Sequence, residues 1–366
     1  MAGNKALAVA KENQYDEFYT RLTDIEKELR HYRKHFKGKT VLCNCDDPFE
    51  SNFFKYFALN FNKLGLKRLM ATCYDGSPIM GTLFDAFEEG KKPRTAYKAV
   101  VTTVYDADGD GDVDMLDVAE LFRQGENIIE KLEGNGDFRS AECLKLLDEA
   151  DIVVTNPPFS LFREYVSMLL ERSKKFVIVG PHNGVKYKET FPFIRDGRMW
   201  VGYKSFATEM YFSVTEKKKE ELISTKKEGS AYVVKDGIVL GRAQSLWFTN
   251  LDLKKRHEEI ILYRHYTPES YLSYTNLDGI DVPNVSNIPC DYTGLMGVPI
   301  SYLDQHNPEQ FEIVGLGEGN LAKEIGITRN HEGRTKLEYQ TADGEFKRPF
   351  ARIVIRNLHP EQPKEA

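Results

Sequence analysis

The sequence predicts an α/β fold, an open sheet of parallel strands flanked by helices and followed by a smaller mixed region. Three observations predict it. Short apolar runs alternate with helical patterns through the first 200 residues, the rhythm of strand–helix–strand units. One such run, Asp151–Thr155, is cut off by Asn156-Pro157-Pro158-Phe159, so a buried strand ends abruptly where open sheets present residues to ligands. After residue 200 the alternation gives way to short aromatic-rich strands separated by charged stretches.

Residues 1–14 are small and polar and read as a weakly ordered arm. From Tyr15 to Phe36, Phe18, Leu22, Ile25, Leu29, Tyr32 and Phe36 recur at three and four, the spacing of one amphipathic helix. The runs Thr40–Cys45, Lys67–Cys73, Ala99–Val104, Asp151–Thr155 and Lys175–Gly180 supply the sheet, and residues 15–200 form the core domain. Residues 201–366 form the second region. It has short strands at Glu209–Val214, Ala231–Val234 and Gln244–Thr249, and Asn276–Pro299 reads as a long loop.

With 366 residues, 41% of them apolar, the chain can bury a sizeable core. No stretch approaches the roughly 18 apolar residues of a membrane span, and the first residues do not show the charged-then-apolar pattern expected of a secretory signal. A cytoplasmic protein is expected. Five cysteines, odd in number and without Cys-x-x-Cys spacing, argue against a disulfide framework and against a zinc site. The net charge of −6 looks unsuited to nucleic acid. Six aspartates lie between Asp106 and Asp117, however, as many as the net charge, so the remaining chain is balanced. Basic residues can then gather on one face.

The double proline removes two backbone donors and fixes the chain direction. The carbonyls of Asn156 and Pro157 can point outward beside the Asn156 side-chain oxygen. An exocyclic amine conjugated to a base ring is planar and poorly nucleophilic. Donating its hydrogens to such acceptors draws the nitrogen toward tetrahedral geometry and frees its lone pair for a methyl sulfonium, with no strong base required. Phe159 supplies an aromatic face for a base swung out of a duplex.

On the cofactor side, Cys45-Asp46-Asp47 ends the first strand and Ser51 stands near the next helix start. Carboxylates there suit a sulfonium amino acid. Tyr74 and Asp75 follow the second strand, where a ribose and adenine would lie. Tyr19 and Thr20 sit at the start of the chain's first helix, and Gly134–Phe138 is a tight turn ending in Asp137 and Phe138, an acid placed to accept from an adenine amine. Asn156 belongs to this set as well as to the catalytic one.

These segments in this order, Asp16–Thr20, Cys43–Ser51, Gly134–Phe138 and Asp151–Ser160, together with Leu161–Val166 and Gly297–Gly315, resemble the EcoRI-type adenine-specific DNA methyltransferases of restriction-modification systems and phages. The resemblance covers most of the chain. It implies a Rossmann-like S-adenosylmethionine-dependent methyltransferase sheet with the cofactor held by the N-terminal half. It also implies that Asn156–Phe159 holds the N6 amine of adenine, that the C-terminal half recognises double-stranded DNA, and that a restriction endonuclease of the same system can be a partner. Arg195–Asn276 is not matched residue by residue.

Asp106, Asp108, Asp110, Asp112, Asp114 and Asp117, with Gly111 at position six, fit the twelve-residue EF-hand calcium loop. Aspartate in the last position shortens the reach and favours a weaker Ca2+ or Mg2+ site. The expected metal ligands are Asp106, Asp108, Asp110, Asp112 and Asp117, and the ion is expected to be structural. Two other readings stand beside the leading one: the same amine chemistry on an RNA base or a protein glutamine amide, and a calcium-dependent binding protein. DNA contact is expected from Lys217–Lys219, Lys226-Lys227 and Lys254–Arg256.

Overall fold

The computed structural model describes residues 18–45, 51–73 and 96–362. They fall into two compact units, Met1–His182 with Thr208–Leu251, and Asn183–Ala207 with Asp252–Ala366. The units interleave along the chain, so residues 208–251 lie with the N-terminal unit rather than with the region that follows residue 200.

In the first unit the strands are β1 (Phe18–Thr20), β2 (Thr40–Asn44), β3 (Arg68–Cys73), β4 (Tyr97–Val101), β5 (Ile128–Lys131), β6 (Ile152–Thr155) and β7 (Lys175–Pro181). β8 (Trp200–Val201) belongs to the second unit. β9 (Met210–Val214), β10 (Tyr232–Lys235), β11 (Ile238–Ala243) and β12 (Ser245–Thr249) return to the first. The main sheet runs β5-β4-β3-β2-β6-β7-β12. Its centre, β3-β2-β6-β7, is parallel. The centre is the expected parallel sheet; at the edges β4 pairs antiparallel with β3, β5 with β4, and β12 with β7. Apolar runs buried on both faces fit either direction; the connections decide which.

The helix expected over Tyr15–Phe36 is broken. Phe18–Thr20 pairs antiparallel with β9, and helix α1 (Leu22–Leu29) starts only after Arg21, whose backbone is extended. Phe18 and Thr20 are buried while Tyr19 between them is not, the period of two that marks a strand. Ile25, Leu29, Tyr32 and Phe36 keep the helical spacing and are fully buried. Helix α2 (Asn52–Leu59) buries Phe53, Phe54 and Phe57. Phe57 meets Phe36 edge-on at 5.0 Å, and Phe53 meets Trp247 of β12 at 5.9 Å. Helix α3 (Met115–Arg123) follows the acidic loop and α4 (Ala141–Glu149) precedes β6. Helix α5 (Phe162–Glu171) buries Phe162, Tyr165, Val166 and Leu169, one apolar stripe at i, i+3, i+4 and i+7. Phe162 sits so close to Gly180 of β7 that a Cβ there would lie 2.1 Å from its ring.

The second unit is built on β13 (Gly279–Asp281), β14 (Leu295–Pro299), β15 (Phe311–Leu316), the hairpin β16 (Tyr339–Gln340) with β17 (Phe346–Lys347), and β18 (Arg352–Asn357). Its larger sheet runs β13-β14-β18-β15. The long loop expected over Asn276–Pro299 thus holds two strands, paired parallel. Gly279 allows the approach, since a Cβ there would stand 2.6 Å from the Leu295 carbonyl oxygen. Asp281, buried, accepts from Tyr274 Oη at 2.7 Å and from Arg352 Nε at 2.9 Å, so its charge is paired and hydrogen-bonded. No helix among the described residues is long and apolar enough to cross a membrane.

Candidate active site

β6 is buried along its whole length. It delivers Asn156 to the carboxyl end of the parallel strands, and the prolines then turn the chain into a short 3-10 turn (Phe159–Leu161) and α5. Asn156 is half-buried. Its Nδ2 donates to the Phe18 carbonyl of β1 at 2.8 Å, which fixes the amide plane and turns Oδ1 away from that bond. Oδ1 is buried and has no hydrogen-bond partner among the described residues. A buried acceptor left without a donor costs about 1–3 kcal/mol, and a ligand amine would relieve it.

The neighbouring groups form one network. Thr155 Oγ1 donates to the carbonyl oxygen of Asn44 at the end of β2. Tyr165 Oη donates to the Asn44 side-chain oxygen, and its burial pushes the phenol well above its ordinary pKa, so it stays a neutral donor. Phe138, buried, meets the Tyr165 ring edge-on at 5.0 Å. These contacts brace the end of β6 from three elements. Sequence reasoning missed Asn44 and Tyr165. A polar residue ending an otherwise apolar strand was the available signal for Asn44; Tyr165 reads only as part of a helix stripe.

Among the expected cofactor residues, Thr20 is buried, with Oγ1 lacking a partner among the described residues. Its carbonyl accepts from Asn52 Nδ2 at 2.9 Å, which ties β1 to the start of α2. Ser51, buried, is the N-cap of α2 but makes no side-chain cap bond. Tyr19 is partly exposed on β1. Cys45 has φ 87°, a left-handed conformation uncommon outside glycine, so the chain turns sharply as it leaves β2. Asp137 is buried, and Arg139 closes on its carboxylate through Nη2 at 2.6 Å and Nε at 2.9 Å. The same arginine reaches Glu164 at 3.2 Å. Its pairing with Asp137 raises the guanidinium pKa above its ordinary value. Asp137 Oδ1 takes two bonds and Oδ2 one, which leaves acceptor capacity on Oδ2. Asp46, Asp47, Tyr74 and Asp75 lie outside the described residues, as do Asp16 and Glu17.

The structure therefore gathers Tyr19, Thr20, Cys45, Ser51 and Asn156 around the ends of β1, β2 and β6. Phe138 joins them through Tyr165, with Asp137 next to it in the chain. The buried orphan oxygens of Thr20 and Asn156 fit a polar ligand such as S-adenosylmethionine with its acceptor base.

Asp106, Asp108 and Asp117 present carboxylate oxygens within 4.8 Å of one another, while Asp110 and Asp112 are exposed. Asp117 is buried, and its carboxylate accepts from the backbone amides of Asp114 and Ala107, both at 2.7 Å, closing a capping box at the start of α3. Of the basic residues expected at DNA, Lys218 is buried and paired with Glu221 at 2.9 Å. Arg256 lies 3.6 Å from the centre of the Trp200 ring, and burial lowers its pKa, so Lys218 and Arg256 serve packing. Lys217, Lys226, Lys227 and Lys254 are exposed.

Comparison with known proteins agrees with this geometry. Residues 6–358 match the family model described as adenine-specific methyltransferase EcoRI. The chain is 39% identical to the Type II methyltransferase M.EcoRI of Escherichia coli over 97% of both chains. It is 32% identical to M.MpnI of Mycoplasma pneumoniae over 95% of this chain and 96% of the relative, and 34% identical to M.MgeORF184P of Mycoplasma genitalium over 83% and 84%. No solved structure matches. An adenine-specific family leaves no place for a protein amide as the acceptor. The chain belongs to the EcoRI-type family of adenine-specific methyltransferases.

Proposed function

We propose that this methyltransferase acts on the N6 amine of adenine within a specific double-stranded DNA sequence, with the target base swung out of the duplex. One observation carries the residue assignment: the buried Asn156 Oδ1, without a donor among the described residues, its amide plane fixed by Phe18. Asn156 Oδ1 and the Asn156 and Pro157 carbonyls accept the amine hydrogens, and Phe159 stacks on the base. S-adenosylmethionine supplies the electrophilic methyl group. Tyr19, Thr20, Cys45, Ser51, Asp137 and Phe138 hold it, together with Asp46, Asp47, Tyr74 and Asp75. Pro158 sets the direction in which the chain leaves the site.

The C-terminal region, residues 201–366, recognises the DNA sequence, and its exposed lysines such as Lys217, Lys226, Lys227 and Lys254 contact phosphates. A cytoplasmic location and a cognate restriction endonuclease suit such an enzyme. The acidic loop binds Ca2+ or Mg2+ through Asp106, Asp108, Asp110, Asp112 and Asp117 as a structural ion. The direct test is transfer of radiolabelled methyl to unmethylated DNA followed by digestion to nucleosides. Label in N6-methyladenosine is the expected result; label elsewhere, or none despite cofactor binding, overturns the reading.

A further inference from the structure

In the second unit, His265, Cys290 and Glu361 bring an imidazole nitrogen, a thiol sulfur and a carboxylate oxygen within 4.8 Å of one another. Cys290 is buried; His265 and Glu361 are exposed. The backbone holds these distant stretches together. Cys290 N donates to the Arg264 carbonyl, and Glu361 N donates to the Cys290 carbonyl, both at 2.8 Å. Asn357 Nδ2 bonds the same Cys290 oxygen at 3.2 Å. Main-chain bonds therefore hold the three segments that carry these donor groups side by side.

The distances favour a particular ion. Cys290 Sγ lies 3.5 Å from His265 Nδ1. Zinc bound tetrahedrally to sulfur at about 2.3 Å and nitrogen at about 2.05 Å would hold those atoms about 3.6 Å apart. Asp291 Oδ2 stands 3.1 Å from the same nitrogen, and its Oδ1 is anchored by the Tyr266 amide at 2.7 Å. A thiol is a weak hydrogen-bond donor, so it does little for two neighbouring carboxylates. A thiolate and an imidazole together select zinc over the hard cations calcium and magnesium, which prefer oxygen.

We propose that His265, Cys290 and Glu361 bind a zinc ion, with Asp291 or a water in the fourth position. The ion staples the C-terminal segment to the stretches that carry Cys290 and His265. On binding, the Cys290 thiol releases its proton to solvent. Each ligand comes from a different segment, which is why the missing Cys-x-x-Cys spacing does not bear on this site.

The test is metal analysis of the full chain produced with zinc supplied and then dialysed. One zinc per chain is expected, lost in both Cys290→Ser and His265→Ala. Exchange with cobalt(II) is expected to give a thiolate-to-cobalt charge-transfer band in the near ultraviolet, absent in Cys290→Ser. Glu361→Gln should weaken zinc binding about tenfold or more, by comparison with the effect of even indirect ligand partners. Removing zinc should speed hydrogen exchange at residues 357–362. A full chain without zinc and without the cobalt band overturns the proposal, and so does undiminished zinc in His265→Ala. That histidine side chain is 64% exposed, so its loss leaves the fold intact even where the buried cysteine variant fails to fold. None of these readouts depends on methyl transfer.

Discussion

Replacing Asn156 by alanine separates the two jobs assigned to that side chain. The amide donates to the Phe18 carbonyl at 2.8 Å and leaves Oδ1 buried without a partner among the described residues. Alanine removes both atoms. Loss of the Phe18 bond costs about 0.5–1.5 kcal/mol of stability, and loss of the orphan oxygen returns part of that, so the fold should survive with a small drop in Tm. The effect on turnover is larger. An oriented dipole aimed at charge that develops in the transition state is worth roughly 10²–10³ in kcat, about 2.7–4 kcal/mol. Single-turnover transfer of labelled methyl to DNA should slow by that factor, while S-adenosylmethionine affinity, measured by calorimetry, changes less than about threefold because remote contacts carry it. Turnover within a few-fold of the parent would refute the reasoning. So would a loss explained wholly by weaker cofactor binding.

Other outcomes follow from the same structure. Gly180→Ala places a Cβ 2.1 Å from the fully buried Phe162 ring; denaturant unfolding should show a loss of about 1–3 kcal/mol, largely recovered in the double variant with Phe162→Leu. Burial lowers the His306 pKa to about 4, against a bond from its ring to the Phe311 carbonyl. The unfolded chain protonates near the ordinary value of about 6.5 and so binds the proton first. Stability from this group is complete above pH 6.5 and is lost as pH falls toward 4, on the order of 3 kcal/mol; Tm measured against pH should show the decline, and His306→Gln should flatten it. Calcium should raise Tm with kcat unchanged, and Asp106→Asn should abolish the shift; inactivation by chelation at constant Tm would mean that the ion serves the chemistry.

The centre of the fold was legible because its strands are runs of apolar residues, and the abrupt strand exit at Asn156–Phe159 because two prolines after a strand admit few structures. What the sequence concealed was direction and partnership. Nothing in Ala99–Val104 distinguishes a parallel from an antiparallel neighbour. Phe18 and Leu22 satisfy a helical spacing by coincidence of four, although Phe18 belongs to a strand. Asn276–Pro299 looks irregular because glycines and prolines surround two very short strands, and the second of them is paired on its other side by β18, more than fifty residues away. The role of Asn44 and Tyr165 arises only when the ends of β2 and β6 meet, and the grouping of His265, Cys290 and Glu361 only when the chain's last strand returns.

The path of the chain between its two units bears on how the protein is made. It leaves the first unit after His182, returns at Thr208 and leaves again after Leu251. β12 pairs with β7 over Ser245–Thr249. A ribosome that has released residues up to β7 has therefore exposed Val177, Ile178 and Val179 along an unpaired strand edge, the kind of surface on which chains aggregate. Synthesis of some seventy further residues, at about 5–20 per second, must pass before that edge is covered. A nascent chain stalled in this interval is the form that a chaperone would meet, and two separately expressed halves cut at residue 200 would leave the first half with the same open edge.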